Sequence, residues 1–320
     1  MKKIVFFFAL SLTLNAFSQV VDVFNYTGAL NANGWSTHSG TAAQLQVITT
    51  PGDVGNSLSF SGLATSTGNR ISLIAGNGED VNKAITGISG SGYLSFLIKV
   101  PNTTGINTTA GDYFIGFGAT SGTLVTTLGA RVFIKPGLTA NTFQLGILNI
   151  STGTATFYPT EFPCGVTVFA VAKLTGSTAP IQASLWLNPT PGSLEPAANV
   201  TNSAGLNLFG SFGSIFIRQG GTLSSGTGSL EIDEIRAGAT WGSVTPCSTP
   251  ATWYADVDGD GFGNALSTTL SCLQPLNYVA NSTDCNDNSA AINPNTIWYM
   301  DMDNDGFGGN GMTTTACVQP

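Results

Sequence analysis

The chain has 320 residues, 42% of them hydrophobic and only 9% charged, with 40 glycines and a formal net charge of −8. This length supports one or two domains with a substantial core. The ten lysines and arginines are too few and too scattered for a nucleic-acid interface, and the acidic balance repels anionic membrane surfaces as well. Lys2-Lys3, the apolar run Ile4 to Leu14 and the small-x-small step Ala16-Phe17-Ser18 read as a secretory signal peptide over residues 1–18. The apolar run is too short to span a bilayer, and no later one approaches the roughly 18 residues of a membrane helix. The expectation is a chain secreted or attached to the cell surface, with no membrane span once mature and with disulfides permitted.

Residues 19–244 are rich in Gly, Ser and Thr, and helix signals are missing. Short apolar or alternating runs recur between turn residues: Gln44–Thr49, Ser57–Ser61, Arg70–Ala75, Tyr93–Val100, Tyr113–Gly118, Arg131–Lys135, Thr142–Ile150, Val166–Leu174, Gln182–Asn188, Ser214–Gln219 and Leu230–Arg236. About eleven strands at this spacing, with no strand–helix alternation, predict an all-β sandwich. Thr245–Thr252, with two prolines and Cys247, reads as a linker.

Several phrases in this region are similar to laminin-G-like or legume-lectin-like jelly rolls. They are Gly78-Glu79-Asp80-Val81-Asn82, Tyr93-x-Ser95-Phe96-Leu97, Gly111-Asp112-Tyr113-Phe114, Ser184-Leu185-Trp186-Leu187-Asn188-Pro189 and Ile232-Asp233-Glu234-Ile235-Arg236. The resemblance implies a jelly-roll β-sandwich whose partner is an extracellular glycan or a surface protein. Among the aromatic residues, Trp35, Trp186, Trp241, Tyr93, Tyr113 and Tyr158 could stack on sugar rings. Trp186 lies in an apolar strand and reads as core, whereas Trp35 is flanked by polar turn residues and is the better ligand-binding candidate.

Glu231-Ile232-Asp233-Glu234 invites comparison with the Glu-x-Asp-x-(x)-Glu signature of family 16 glycoside hydrolases, which share the jelly-roll fold. Retaining chemistry needs two carboxylates about 5–5.5 Å apart. Glu231 and Asp233 can share a strand face, but Glu234 points away unless a bulge intervenes, and the second Glu of the signature falls on Ile235 or Arg236. His38 is the only histidine, no nucleophile elbow or phosphate loop is present, and short-spaced zinc ligands are lacking. The expectation is therefore no enzyme and no catalytic residue. A glycan-active enzyme on the same fold, or a purely structural spacer, remains as an alternative.

The C-terminal region differs sharply. All ten basic residues lie in residues 1–236 against ten acids, while residues 237–320 hold eight aspartates and no basic residue. Asp256-Val-Asp258-Gly-Asp260-Gly261-Phe262-Gly263 recurs as Asp301-Met-Asp303-Asn-Asp305-Gly306-Phe307-Gly308, 45 residues later, and 13 of 23 positions match between Trp253–Pro275 and Trp298–Pro320. Carboxylates at alternate positions followed by Gly make a calcium loop: hard oxygens at positions 1, 3 and 5 converge, Gly permits the turn, and the carbonyl at position 7, of Phe262 or Phe307, follows. An EF-hand would carry Glu at position 12, where Ser267 and Met312 stand instead. The missing carboxylate must come from Asp284-Cys285-Asn286-Asp287, which a Cys272–Cys285 disulfide would fold back onto the loop. Cys164 and Cys247 can pair, or Cys164 can be a small buried hydrophobe.

These motifs, with Cys-x-Gln-Pro and Ile-Asn-Pro, resemble the metal-binding repeat of bacterial surface proteins, itself similar to thrombospondin type 3 repeats. The resemblance implies calcium held by Asp256, Asp258 and Asp260, closed by Asp284 or Asp287, and a second site on Asp301, Asp303 and Asp305. Repeat 1 spans 253–296 and repeat 2, incomplete, 297–320. Cys317 then lacks its partner and the sequence stops in mid-repeat, implying further repeats beyond Pro320. The overall expectation is a secreted calcium-binding protein: a jelly-roll domain for adhesion or carbohydrate recognition, followed by small disulfide-stapled calcium repeats with little regular structure.

Overall fold

The computed structural model describes residues 20–48, 56–150, 153–175, 181–203, 209–303, 305–309 and 311–320. The signal-peptide reading of residues 1–18 lies outside them. The chain divides into two units, with the boundary between Thr245 and Pro246.

Two antiparallel eight-stranded sheets make the first unit. Read edge to edge, the first sheet runs Val200–Asn202, Gln182–Leu187, Thr167–Thr175, Ser91–Lys99, Leu230–Gly238, Arg70–Leu73 and Gln46–Ile48, with Val20–Asp22 also paired to Leu230–Gly238. The second runs Thr156–Phe157, Thr142–Leu148, Leu128–Pro136, Asp112–Gly118, Ser214–Arg218, Asp80–Ala84 and Ser36–Ser39, with Phe162–Pro163 also paired to Thr142–Leu148. This is the jelly-roll sandwich, and ten of the eleven predicted runs lie in it as strands. The exception is Ser57–Ser61, which forms no strand.

Inward-facing side chains of both sheets, among them Phe96, Ile98, Phe114, Phe117, Val132, Ile134, Ile217 and Ile232, merge into one core. Phe96 meets Phe114 edge-on at 5.7 Å between the sheets. The outer face of the first sheet has a second apolar layer of Tyr93, Leu97, Phe169, Val171 and Trp186. It is roofed by Leu58, Leu63 and the short helix Trp241–Val244. Its central strand Ser91–Lys99 is thus buried on both faces, which explains its nearly unbroken apolar sequence. Ser57–Ser61 reads as a strand because Leu58 is apolar, yet that side chain serves the roof. Its N–H donates to Asp233 Oδ2 at 2.7 Å instead of to a neighbouring strand.

The second unit has two small hairpin-based pieces, Ala251–Ala255 with Asn264–Ser271 and Tyr278–Val279, then Ile297–Tyr299 with Thr313–Thr315. The repeat seen in sequence is a repeat in structure. Trp253 Nε1 donates to the Ser271 carbonyl at 3.1 Å, and Trp298 Nε1 to the Ala316 carbonyl at 2.9 Å, 45 residues on in each case.

The disulfides differ from the expected Cys272–Cys285 pair. Cys247 bonds Cys272, and Cys285 bonds Cys317. The hairpin register is the reason. Ala251 lies opposite Ser271, which returns Cys272 to the start of the unit and to Cys247. Ile297 likewise lies opposite Thr315, which returns Cys317 toward Cys285. Each return strand therefore bonds the cysteine upstream of its own repeat, so Cys317 has a partner after all. Cys164 carries no disulfide and is half-buried. In the segment read as a linker, Cys247 carries a disulfide and Ala251 and Thr252 are strand residues.

Candidate functional sites

In the first acidic loop, Asp256, Asp258 and Asp260 offer carboxylate oxygens that all lie within 4.8 Å of one another. The loop is wound by its own backbone. Gly259 N and Gly261 N donate to the two oxygens of Asp256 at 2.8 and 3.1 Å, and Phe262 N donates to Asp260 Oδ1 at 2.9 Å. Gly259 and Gly261 sit at φ +78° and +89°, a conformation that other residues adopt only with strain. Gly263 lets the loop close onto the hairpin, since a Cβ there would stand 2.5 Å from that of Tyr254.

The 281–287 segment is laid against this loop by hydrogen bonds. Asn281 Nδ2 donates to the Gly261 carbonyl at 2.8 Å, and Asp284 N to the Gly263 carbonyl at 3.1 Å. The two candidate closing carboxylates then behave differently. Asp287 accepts from Val257 N at 2.7 Å and from Asn264 Nδ2 at 3.2 Å, so both of its oxygens have donors. Asp284 Oδ2 is buried without a donor, as are Asp258 Oδ2 and Asp260 Oδ2. The Asp258 carboxyl is pushed above its usual range by desolvation, and repulsion from Asp260 and Asp284 adds to this. Three donorless oxygens of hard, anionic groups suit a calcium-type ion: native proteins rarely leave buried polar atoms unpaired, and oxygen ligands are what such cations take.

The second loop has the same turn. Gly306 N donates to Asp301 Oδ2 at 3.0 Å and Phe307 N to Asp305 Oδ1 at 2.9 Å, and Asp301, Asp303 and Asp305 again converge within 4.8 Å. Asp303 and Asp305 are exposed, as is Phe307, and no donorless buried oxygen occurs there among the described residues.

Trp35 does not form a surface platform. It is 3% exposed, and its Nε1 donates to Asp22 Oδ2 at 2.8 Å. The strand Ser36–Ser39 pairs with Asp80–Ala84, which turns the preceding indole inward beside Lys83. His38 is half-buried against the Asn82 amide at 3.2 Å, and burial lowers its pKa.

The Glu231–Arg236 stretch does contain a bulge, between Asp233 and Arg236, with Glu234 at φ +52°. It forms no cleft. Glu231 is bridged by Arg70 at 3.0 Å and Lys99 at 3.5 Å, and Glu234 is ion-paired with Arg236. Asp233 is fully buried beneath Leu58, and its carboxyl is pushed up to about 8, mainly by burial.

The outer face of the second sheet is different. Along Leu128–Pro136, Val132 and Ile134 enter the core, so Arg131, Phe133 and Lys135 point the other way. In register with them, Phe133 stands opposite Tyr113 and Gly146, and Gly146 opposite Phe157. The rings form a continuous layer: Tyr113 lies 5.6 Å from Phe133 and 6.0 Å from Phe216, and Phe133 lies 6.4 Å from Phe157. Gly146 is part of its floor, because a Cβ there would stand 2.7 Å from the Phe157 ring. Arg131 and Arg218 cover the Tyr113 ring at 4.9 and 4.3 Å, and Lys135 covers Phe157 at 4.4 Å. Arg218 also bridges Asp112 at 2.7 Å. Asp80, opposite Arg218 in register, has its carboxyl pushed up to about 6 by burial, against the pull of Arg218. Sequence reasoning listed Tyr113 among stacking aromatics but missed the platform, because its members come from strands far apart in the chain.

No known family matches the chain, and no characterised protein does so by sequence. Solved structures are similar to it. An endo-β-1,4-glucuronan lyase from the fungus Trichoderma reesei aligns at 12% identity over 70% of this chain and 98% of its own, TM-score 0.42. An endo-1,3-β-glucanase from Streptomyces sioyaensis aligns at 13% identity over 72% and 99%, TM-score 0.39. The carbohydrate-recognition domain of Emp46p aligns at 9% identity over 70% and 98%, TM-score 0.37. Likeness at this identity concerns the fold alone. It corrects one expectation: the non-enzyme reading, drawn from the failed Glu-x-Asp-x-(x)-Glu pattern, is overturned by the glycan-cleaving enzymes among these structures.

Proposed function

We propose that this chain is an exported calcium-binding protein whose jelly-roll unit engages glycans outside the cell. Its acidic repeats, of the metal-binding type seen in thrombospondin-like modules, form a calcium-rigidified module. The observation that carries the calcium reading is the set of donorless oxygens on Asp258, Asp260 and Asp284, at the loop whose spacing already specifies calcium. Asp256, Asp258, Asp260 and Asp284, with the Phe262 carbonyl, hold the first ion, and Asp287 orients the loop. Asp301, Asp303, Asp305 and the Phe307 carbonyl hold a second, weaker ion. Both disulfides, and the lack of any helix among the described residues long and apolar enough to cross a membrane, fit an extracellular setting. Calorimetric titration of the full chain with calcium tests the reading. Two unequal sites are expected, the tighter one lost in Asp258→Asn, and no heat at millimolar calcium sinks it.

A second reading, a glycan-active enzyme, is favoured by Asp80. Burial pushes this carboxyl up to about 6 on the ring-covered sheet face beside Arg218 and Asp112, where an acid–base group is useful. Release of new chain ends from a glycan panel, abolished by Asp80→Asn, supports turnover. Retention without release supports recognition alone.

A further inference from the structure

Eight lysines and arginines fall among the described residues, in a chain of net charge −8. Six of them sit within 4.0 Å of a carboxylate: Arg70, Lys83, Lys99, Lys173, Arg218 and Arg236. The other two, Arg131 and Lys135, lie four residues apart on one face of one strand, each over an aromatic ring. Arg131 is only 8% exposed. Its Nη2 donates to the Ile150 carbonyl at 2.8 Å, while its Nε has no partner. A buried guanidinium without a counter-ion is costly, because desolvation of the charge is not repaid by pairing. In an acidic chain with carboxylates to spare, two unpaired cations in one ring-lined layer indicate that their anion arrives with a ligand.

We propose that the outer face of the second sheet binds an acidic glycan, with Arg131 and Lys135 each taking an anion borne on its sugar rings. That anion is a uronate carboxylate or a sulfate ester, both of which match the planar fork of arginine. Half-buried Tyr113, Phe133 and Phe157 hold the two cations in place beneath the ligand. Arg218, already committed to Asp112, keeps Tyr113 in place. The inference rests on the glycan reading above and adds the charge class of the ligand.

The test uses the full chain with calcium present and follows retardation in gels containing a polyuronate, a sulfated galactan or a neutral β-glucan. At least one acidic polymer is expected to bind at least tenfold more tightly than the neutral one, with retention falling as salt rises. The two acidic arms tell carboxylate from sulfate. Lys135→Ala should weaken acidic binding about fivefold or more. Arg131→Lys, which keeps the charge but loses the fork, should do the same. Lys173→Ala, a cation of the first sheet, should change nothing. An unchanged melting temperature of the sandwich shows that each variant is folded, and Lys135→Ala keeps the test sound should Arg131→Lys destabilise the strand. Equal retention on neutral and acidic gels, or acidic binding untouched by Lys135→Ala, overturns this inference and leaves the glycan reading standing. Retention on none of the three overturns both.

Discussion

The two units solve the same problem with opposite means. The sandwich buries dozens of apolar side chains between and behind its sheets, and spends few charges. Among the described residues of the C-terminal unit the only buried hydrophobic one is Ala255, and beside it the buried residue is an aspartate, Asp256. Its order comes from two disulfides, side-chain-to-backbone bonds and converging carboxylates. A unit of this size with so small a core needs such staples. The difference teaches where each unit is vulnerable: the first to cavities, the second to reductant and, on the calcium reading, to chelator.

The largest expected effect follows directly. Heating the full chain should show two transitions. Chelator with reductant should abolish the one belonging to residues 246–320 and leave the sandwich transition in place. A sandwich transition that shifts with chelator alone would reveal a cation site within that unit.

Next come changes specific to one unit. Phe96→Ala opens a cavity between the sheets and should cost about 3–5 kcal/mol in the sandwich alone, read by denaturant unfolding. Cys285→Ser opens a loop of 32 residues and should cost roughly 3.5 kcal/mol in the second unit, in the chain-entropy treatment. Equal losses in both units from either change would mean that the units are not energetically separate.

Within the second unit, Asp258→Asn should weaken the tighter calcium site at least tenfold, and Asp303→Asn should touch only the weaker one. Asp284→Asn should resemble Asp258→Asn, whereas Asp287→Asn should act mainly on loop order. Titration calorimetry separates these, and the reverse ranking of Asp284 and Asp287 would exchange their roles.

A separate effect, read against pH, concerns Asp233. Its carboxyl is raised from an ordinary value near 3.8 to about 8, so the folded sandwich holds a proton that the unfolded chain releases between those limits. The contribution is complete below about pH 4 and is lost as pH rises toward 8. The sandwich melting temperature should fall across that window in the wild type, and less steeply in Asp233→Asn. Parallel slopes would show that other groups control the trend.

Much of the fold was legible in the chain. Alternating apolar runs bounded by glycine gave ten strands, because side-chain period and turn chemistry are local properties. The spacing Asp-x-Asp-x-Asp-Gly drew the converging acidic loop for the same reason, since its geometry is set within six residues. The misreadings all involved partners distant in sequence. Trp35 looked exposed among polar neighbours until Asp22 and Lys83 enclosed it. Cys272 looked destined for Cys285 until the hairpin register carried it to Cys247.

What the sequence determined by itself, then, is the run of strands, the duplicated acidic loop and the segregation of charge to the C-terminal end, all of them written in neighbouring residues. Only the tertiary structure decided which cysteines meet and that Asp284, not Asp287, presents a donorless oxygen to the loop. It alone also gathered Arg131 and Lys135 over Phe133, Tyr113 and Phe157. Those outcomes depend on the register between strands, and register is fixed by the packing of the whole sheet.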